Sequence, residues 1–320
     1  MKADQLFRLP LQFHLGVHVC PEDAVRENQA QTNDAFSEKW LALGQHRKDE
    51  EEGWKRMQLE WYLSLYGYSS ECDLARFAEG CPAILDAGCG LGYKAAWLAR
   101  LAPRSVVVAM DFSDAIFRAA ERYASVPNLI FVKGDVARTP FHDGVFDLVS
   151  CDQVLHHTER PPSTLREFHR ITANGATLHT YVYAKKALPR ELLDDHFRIK
   201  SKSVSREELW EMSAQLASLG RTLSELGVSV DVPDIPLLGI KGGRQDLQRF
   251  IYWNFIKCFW NESFGEEASI STNFDWYSPS NAFRYARDEF VGMCESAGWT
   301  LDFLHGEPAC WSGRFLRIER

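Results

Sequence analysis

The sequence has neither an excess of positive charge nor a long apolar segment. Its 320 residues include 36 Lys and Arg against 44 Asp and Glu, so the formal net charge is −8. Proteins that bind nucleic acid rely on Lys and Arg contacts to phosphate, and no basic stripe is visible in this chain. No uncharged apolar run approaches the roughly 20 residues that a membrane-spanning helix needs. The sequence therefore argues against a nucleic-acid partner and against a membrane span, and it leaves the oligomeric state open.

The eight cysteines lack the C-x-x-C spacing of redox motifs and metal sites. Because they are scattered through a long chain, we expect them to be reduced thiols. His14, His18 and Cys20 have no fourth ligand at a suitable spacing, so no metal site is predicted. The N-terminal segment is interrupted by charged and polar residues and lacks the apolar core of a signal peptide. These features predict a cytoplasmic protein without a bound metal.

A glycine-rich turn between residues 84 and 93, with the sequence ILDAGCGLGY, is the most informative stretch of the chain. Glycines at alternate positions allow a sharp turn between a strand and a helix, and they let a ligand approach the backbone. The dinucleotide pattern G-x-G-x-x-G would place a glycine where this chain has Tyr93. The spacing is D-x-G-x-G-x-G instead. An acid two residues before the first glycine suits a nucleotide-like cofactor that carries a positive amine, and it suits a pyrophosphate poorly.

Strands and helices alternate along the chain, as a doubly wound parallel sheet requires. We predict strands at residues 83–86, 105–111, 129–132, 145–151 and 176–183, and helices at about 94–102, 114–123 and 161–173. Ser113 is the predicted N-cap of the second of these helices, and the third is expected to close before Asn174-Gly175. A helix at 287–297 and strands at 299–304 and 314–318, joined through Gly306, Pro308 and Gly313, complete the pattern. Four predicted strands lead into an acid, and ligands of open α/β sheets bind at the carboxyl ends of the strands.

Two segments are additions to this core, which we assign to residues 81–184 and 285–320. Residues 1–80 form an N-terminal extension that is predicted to be helical from about 34 to 66. Residues 185–284 form an insertion with a helix behind the capping box Ser205-x-x-Glu208. We expect the two additions to fold together as a mostly helical cap over the strand ends.

The end of the insertion is dense in aromatic residues, which either line a pocket for a flat or apolar molecule or pack the insertion onto the core. Residues 274–279 are predicted to form a turn that contacts the substrate. At the start of the insertion, four charged residues form either part of the site or a solvated face: Arg190, Asp194, Asp195 and Arg198.

The D-x-G-x-G-x-G spacing resembles motif I of class I S-adenosylmethionine-dependent methyltransferases. The run from Asp152 to His157 resembles motif IV of the UbiE-like, type 11 methyltransferases. The resemblance covers residues 81–183 in its motifs and 285–320 in pattern only. It implies an α/β fold, a doubly wound Rossmann-like sheet of seven strands with an antiparallel C-terminal hairpin. It also implies S-adenosylmethionine as cofactor and S-adenosylhomocysteine as product.

The resemblance further implies individual roles at the strand ends. Asp111 is expected to accept hydrogen bonds from the ribose hydroxyls, and Asp135 to meet the adenine amino group. The full set of expected cofactor-binding residues is Asp86, Gly88, Cys89, Gly90, Gly92, Asp111, Phe112, Asp135, Val136, Asp152 and Gln153. The same glycines and acids also suit a purely structural role as turn and capping residues.

The implied chemistry is in-line displacement at a sulfonium methyl group, for which the protein aligns the reacting atoms and removes water. A hydroxyl or acidic carbon acceptor benefits from a general base, and His156 and His157 are the candidates. Their alternative is a structural role. Tyr183, Trp276 and Tyr277 are expected to contact the acceptor.

We therefore predict a methyltransferase that acts on an oxygen or carbon atom of a small molecule. The alternative is a protein that binds S-adenosylmethionine or its product without transfer activity and serves as a partner or scaffold.

A nicotinamide enzyme is disfavoured. Tyr181 and Lys185 have the Y-x-x-x-K spacing of short-chain dehydrogenases, in which this pair lies on a helix. Here the neighbouring residues favour a strand, which would separate the two by roughly 13 Å.

Overall fold

The computed structural model describes residues 5–21, 27–43 and 48–318. Residues 1–4, 22–26, 44–47 and 319–320 lie outside the described residues. The helix predicted over residues 34–66 is therefore seen on either side of positions 44–47. The strands are β1 Gln12–His14, β2 Val17–Val19, β3 Ala83–Ala87, β4 Val106–Asp111, β5 Leu129–Lys133, β6 Phe146–Cys151, β7 Thr172–Ala184, β8 Ser229–Val232, β9 Gly243–Asp246, β10 Arg284–Tyr285, β11 Trp299–Gly306 and β12 Cys310–Arg317. The helices are α1 Glu27–Leu43, α2 Lys48–Leu65, α3 Glu71–Glu79, α4 Tyr93–Leu101, α5 Ala115–Arg122, α6 Pro161–Ile171, α7 Leu188–Ser201, α8 Arg206–Glu225, α9 Leu247–Asn254, α10 Gly265–Tyr277 and α11 Arg287–Ser296.

A mixed sheet of ten strands forms the centre of the molecule. Seven of its strands follow the order β5-β4-β3-β6-β7-β12-β11, with β11 at one edge. Strands β3 to β7 pair in parallel, and β12 pairs antiparallel with both β7 and β11. This arrangement confirms the predicted α/β class, the seven strands and the antiparallel C-terminal hairpin.

The sheet separates two hydrophobic cores because successive side chains of a strand point to opposite faces. On β4, Val107 and Ala109 belong to one core, and Val108 and Met110 belong to the other. The first core is completed by residues of α2, α3, α4 and α5. The second is completed by residues of α6 and α11. All five parallel strands therefore hold their carboxyl ends at one edge, between two packed layers.

The N-terminal extension contains two short strands ahead of its helices, which the sequence analysis did not predict. Strands β1 and β2 form a short antiparallel hairpin, and β2 pairs in parallel with β5 through Val17 and Phe131. This hairpin widens the sheet at one edge. The pairing was not predicted because its partner lies more than a hundred positions away in the sequence.

Helices of the two additions contact one another. Gln31 on α1 donates a 2.8 Å hydrogen bond to the carbonyl of Ser278, and the backbone N–H of Asn281 donates to Thr32 Oγ1 at 3.0 Å. Lys39 on α1 forms an ion pair with Asp275 on α10. The insertion also contains a two-stranded sheet, β8 with β9, that the sequence did not predict.

Several local predictions need correction. Ser113 does not cap α5, because its hydroxyl donates to Asp111 instead, at 2.6 Å. Helix α6 closes before Asn174-Gly175 as predicted, but it ends at Ile171 and β7 begins at Thr172, so this pair lies within the strand. Residues 274–277 complete helix α10 and do not form a turn. Gly306 and Gly313 lie within β11 and β12, with the connection at residues 307–309. The capping box of Ser205 and Glu208 is confirmed.

Across the described ranges, no helix is long and apolar enough to cross a membrane.

Candidate active site

A cavity of about 700 Å³ lies at the carboxyl ends of the parallel strands and extends under the two additions. Nine of the predicted cofactor-binding residues line one end: Asp86, Gly88, Cys89, Asp111, Phe112, Asp135, Val136, Asp152 and Gln153. Tyr183, Trp276 and His157 line it further along, together with residues that the sequence did not predict, among them Trp40, Lys94, Lys186, Arg249, Tyr252 and Lys257. Gly90, Gly92, His156 and Tyr277 are not part of the cavity wall. The cavity thus joins the strand-end acids to the aromatic insertion.

The glycine turn is shaped as much by packing as by the cavity. Gly88 has φ +84°, and a Cβ atom there would lie 2.3 Å from Val154 Cγ2. Gly90 has φ +53°, and a Cβ atom there would lie 3.0 Å from the ring of Trp40 on α1. Side chains at either position would meet both a strained backbone and an occupied neighbour. The N-terminal extension therefore covers the turn directly.

Asp86, at the end of β3, has an unsatisfied carboxylate oxygen. The residue is 3% exposed, and its Oδ2 atom has no hydrogen-bond partner among the described residues. Burial raises the pKa of Asp86 to about 7, against the opposing charge of Lys94 and with the help of Asp152 and Asp111. A buried, unpaired acceptor of this kind indicates a ligand or water that supplies a donor. The positive amine of S-adenosylmethionine fits this requirement.

Asp111, at the end of β4, braces the glycine turn. Its Oδ2 accepts a 2.7 Å bond from Gly90 N–H, and its Oδ1 accepts from the N–H and the hydroxyl of Ser113, at 2.8 and 2.6 Å. Burial raises the pKa of this carboxyl, and these bonds oppose the rise. Because a carboxylate offers about four acceptor sites, three internal bonds leave room for one ribose hydroxyl. Asp111 therefore stabilises the turn, which is the structural role that the sequence analysis left open, and it also lines the cavity.

Asp135, after β5, also combines a capping bond with a place in the cavity wall. Its Oδ1 accepts from Ala137 N–H at 2.8 Å. Burial raises the pKa of its carboxyl. Val136 lines the cavity beside it. Asp135 and Val136 would therefore give a flat base in the cavity one polar and one apolar neighbour.

Asp152, after β6, is neutralised by a partner that the sequence analysis missed. Lys94 on α4 forms a buried ion pair with its Oδ2 atom. Tyr66 of α2 donates to Oδ1 at 2.7 Å, and Gln153 Nε2 donates to Oδ2 at 3.1 Å. The charge of Asp152 raises the pKa of Lys94 in spite of burial. The signal that could have predicted this partner is the position of Lys94, two residues after the last glycine and on the first turn of α4.

Gln153 holds a backbone conformation that is uncommon for a residue with a side chain. Its φ is +63°, in the left-handed region that costs a non-glycine residue energy. Its side-chain amide donates to Gln58 Oε1 on α2 at 3.1 Å. The strained residue is thus anchored by the N-terminal extension at the edge of the cavity.

The two histidines occupy different positions. His157 lines the cavity, and its Nδ1–H donates to the Asn281 carbonyl at 2.7 Å, which leaves Nε2 as an acceptor. Burial lowers the pKa of His157 to about 4, so its ring is neutral at neutral pH. His156 is fully buried behind it, with ring centroids 4.1 Å from His157 and 3.8 Å from Tyr183. Burial also lowers the pKa of His156 well below its usual value.

At the insertion end, the buried carboxylate of Asp194 organises the aromatic wall. It accepts from Trp276 Nε1 at 2.9 Å, Tyr277 hydroxyl at 2.8 Å and Arg190 Nε at 2.8 Å. Arg190 and Asp194 are therefore interior residues, whereas Asp195 is exposed and pairs with Arg284. The Tyr277 hydroxyl is engaged here and the residue does not line the cavity, so its contact with the acceptor stays a prediction that this arrangement does not support.

A comparison with a family model identifies the same segment of the chain, and individual proteins resemble part of it. A family model described as a methyltransferase domain, of type 11, matches residues 85–180. Over 99 residues the chain is 35% identical to a malonyl-[acyl-carrier protein] O-methyltransferase of Legionella pneumophila, covering 30% of this chain and 35% of that protein. Over 142 residues it is 31% identical to a 2-phytyl-1,4-naphtoquinone methyltransferase of Nostoc sp., covering 43% of this chain and 54% of that protein. The chain thus spans about a third to a half of the length of these relatives.

A solved structure of a SAM dependent methyltransferase from Aquifex aeolicus aligns with a TM-score of 0.40 at 14% identity, covering 74% of this chain and 82% of that chain.

The segment matched by the family model contains the glycine turn, the four strand-end acids and both histidines. Residues 85–180 therefore match a methyltransferase domain of the type 11 family, and the two relatives named above are methyltransferases as well.

Proposed function

We propose that this protein transfers a methyl group from S-adenosylmethionine to an oxygen or carbon atom of a small molecule. One observation carries the proposal: a single cavity is lined by the acids of the methyltransferase domain and by the aromatic residues of the insertion. The cavity is concave, partly covered and mainly aromatic at the insertion end, which is typical of small-molecule sites.

Residues at the strand ends would hold the cofactor. Asp86 would accept from the methionine amine, which supplies the missing partner of its Oδ2 atom. Asp111 would accept from one ribose hydroxyl, and Asp135 and Val136 would lie against the adenine. When bound, S-adenosylmethionine supplies an electrophilic methyl group on a sulfonium centre.

The residues of the protein would orient the acceptor and exclude water rather than supply strong acid–base catalysis. Helices α1, α2 and α10 cover the cavity, and a dry site favours the approach of acceptor and methyl group. His157 Nε2 would accept a hydrogen bond from an acceptor hydroxyl. With a pKa of about 4 it is a weak base at neutral pH, so we assign it mainly to orientation. His156 would act as a positioning residue that holds the rings of His157 and Tyr183.

The test is methyl transfer from labelled S-adenosylmethionine into the small-molecule fraction of a cell extract, with cofactor binding measured separately by calorimetry. We expect both binding and a labelled small product. Replacing Asp111 with Asn should weaken cofactor binding about tenfold, since a hydrogen bond to a charged group contributes about 1.5–3 kcal/mol. Asp114→Asn, an exposed acid three positions away, is the matched control and should bind normally.

Other outcomes separate the competing functions. Binding of the cofactor without any labelled product would favour a binding or scaffold protein over an enzyme. Label found only in protein or nucleic acid would overturn the small-molecule acceptor. Unchanged affinity in Asp111→Asn would remove the ribose assignment while leaving the transfer activity to be judged from the label.

A further inference from the structure

We propose that the methyl acceptor carries an anionic group, a carboxylate or a phosphate, which Lys257 and Arg249 bind at the insertion end of the cavity. The inference rests on the proposed function for its statement that this end receives the acceptor. It adds the chemical class of the acceptor, which neither the family nor the strand-end motifs define.

Lys257 is a buried cation with unused hydrogen-bonding capacity. It is 5% exposed and lines the cavity. Its ammonium donates to the Tyr252 hydroxyl at 3.1 Å, which leaves two of its three N–H donors for other partners. In the part of the chain that the structure describes, no carboxylate forms an ion pair with Lys257 or Arg249, whereas the cavity residues Lys39 and Lys94 pair with Asp275 and Asp152.

An unpaired charge in a buried site is costly, and a ligand of opposite charge removes that cost. Lys257 and Arg249 are therefore cations of the cavity wall at the insertion end that a ligand of opposite charge could pair with. At the cofactor end, the buried lysine already has its acid.

The surroundings of Trp276 add further positive charge. The cationic groups of Lys257, Arg190, Arg198 and Lys186 lie 4.8, 5.1, 5.5 and 5.6 Å from its ring centroid. One buried carboxylate, Asp194, contacts this ring, and its oxygens are shared among three donors. Such a concentration of one charge in a low-dielectric cleft attracts oppositely charged ligands, although the whole chain is acidic.

Lys186 adds positive charge to this end of the cavity but has no free N–H group to donate to a ligand. Its ammonium donates to the backbone carbonyls of Ala184, Pro308 and Ala309 at 2.8, 2.6 and 3.1 Å. All three of its N–H groups are therefore occupied. The direct contacts to the anion fall to Lys257 and Arg249.

Aromatic rings supply the rest of the recognition. Lys257 and Arg249 lie over the rings of both Tyr252 and Phe259, at centroid distances of 5.2 to 5.9 Å. All of these residues line the cavity, as does Ser271, whose buried hydroxyl has no partner among the described residues. A flat or apolar body would lie against these rings while its anionic group meets the cations and the hydroxyl. Charge would then fix the direction of the acceptor, because the acids lie at the cofactor end.

The experiment uses two fluorescent probes that differ by one anionic group, 1-anilinonaphthalene-8-sulfonate and its uncharged counterpart N-phenyl-1-naphthylamine. Both are titrated into the full-length protein saturated with S-adenosylhomocysteine. We expect the sulfonate to bind at one site, roughly tenfold more tightly than the neutral probe, as a charged hydrogen bond predicts. Lys257→Gln should abolish most of this preference, and Lys257→Arg should retain it. Lys241→Gln, at an exposed lysine, is the matched control and should behave as the parent.

The source of the anion is tested by competition. Phenylacetate and phenyl phosphate are each added to displace the sulfonate probe, and the stronger competitor identifies a carboxylate or a phosphate. Equal binding of the two probes, absence of sulfonate binding, or an unchanged preference in Lys257→Gln would overturn the proposal and leave the cations as packing partners of the aromatic rings.

Because this readout is binding, it does not depend on methyl transfer. A protein that binds the sulfonate selectively but labels no product would contradict the proposed function alone. A protein that labels an uncharged product and does not discriminate between the probes would contradict the anionic acceptor alone.

Discussion

The two ends of the cavity differ in both charge and origin. At the cofactor end, four acids project from consecutive strand ends of one parallel sheet, and the buried lysine there is paired with an acid. At the insertion end, cations and aromatic rings come from the start of the insertion, helix α9, the segment after it and helix α10, and the cations Lys257 and Arg249 have no acidic partner among the described residues.

The difference separates two ways of building a site. The cofactor end is produced by the sheet itself, because parallel strands bring their carboxyl ends to one edge whatever surrounds them. The insertion end exists only once several helices have packed together. The first is suited to a ligand shared by a whole family, and the second to an acceptor particular to this chain.

The largest expected effect compares the two buried lysines. Lys94→Met should destabilise the protein by about 3–5 kcal/mol, because it leaves the charge of Asp152 buried without its partner. Lys257→Met should leave the free energy of unfolding unchanged or raise it, because it removes a cation that has no acidic partner among the described residues. Urea unfolding of both variants measures the contrast. Similar destabilisation in both would mean that Lys257 has an ionic role in the folded protein that the contacts do not explain.

The second prediction concerns the glycine turn at the cofactor end. Gly88→Ala should cost about 1–3 kcal/mol through overpacking against Val154, in addition to the strain of its positive φ. Adding Val154→Ala should remove the part of the destabilisation that comes from overpacking and leave the part that comes from the strained backbone at residue 88. Thermal or urea unfolding of the single and double variants tests this coupling. Simple additivity of the two changes would contradict the contact between residues 88 and 154.

The third prediction is that pH acts in opposite directions at the two ends. The pKa of Asp86 is raised to about 7, mainly by burial, so its carboxyl is neutral below that pH and charged above it. Binding of a positive amine favours the charged form. Affinity for S-adenosylmethionine should therefore rise as pH increases toward 7 and level off above it, by up to about tenfold per pH unit below the pKa.

At the insertion end, burial and the charges of Arg190 and Lys257 lower the pKa of Lys186 to about 7, with Glu191 opposing. Affinity for an anionic probe should fall as pH rises through 7, since Lys186 loses its charge. Calorimetric or fluorescence titrations between pH 6 and 8 follow both ligands. Asp86→Asn should flatten the pH dependence of the affinity for S-adenosylmethionine. Lys186→Met should flatten the pH dependence of the affinity for the anionic probe. Profiles of the same sign at both ends would contradict the charge separation.

The smallest expected effect concerns the histidine between the two ends. His157→Gln should lower turnover about tenfold with little change in cofactor affinity, because it removes an orienting acceptor rather than a strong base. His156→Gln should act through displacement of the His157 and Tyr183 rings. Turnover and KM are measured for both variants once an acceptor is known. A loss beyond about a thousandfold in His157→Gln would instead indicate general-base catalysis.

Much of the fold and of the cofactor end was predictable because the signals are local. Apolar runs that end in acids predicted β3 to β6, and the spacing of Asp86 and the glycines predicted the turn that follows β3. Parallel pairing then requires that the four acids share one edge. The prediction failed for Ser113 as a cap, because Asp111 across the turn competes for its hydroxyl and also accepts from Gly90.

The sequence by itself therefore determined the alternating strands and helices of the parallel core and the acids that follow four of its strands. Only the tertiary structure decided the pairing of Lys94 with Asp152, the edge hairpin of β1 and β2, and the contact of Lys39 with Asp275, whose positions differ by 236 in the sequence. It also gathered Lys186, Arg249 and Lys257 around one aromatic wall. The physical reason is that helical and strand periodicity records which face a residue occupies, whereas the partner across a cavity depends on how separate elements pack.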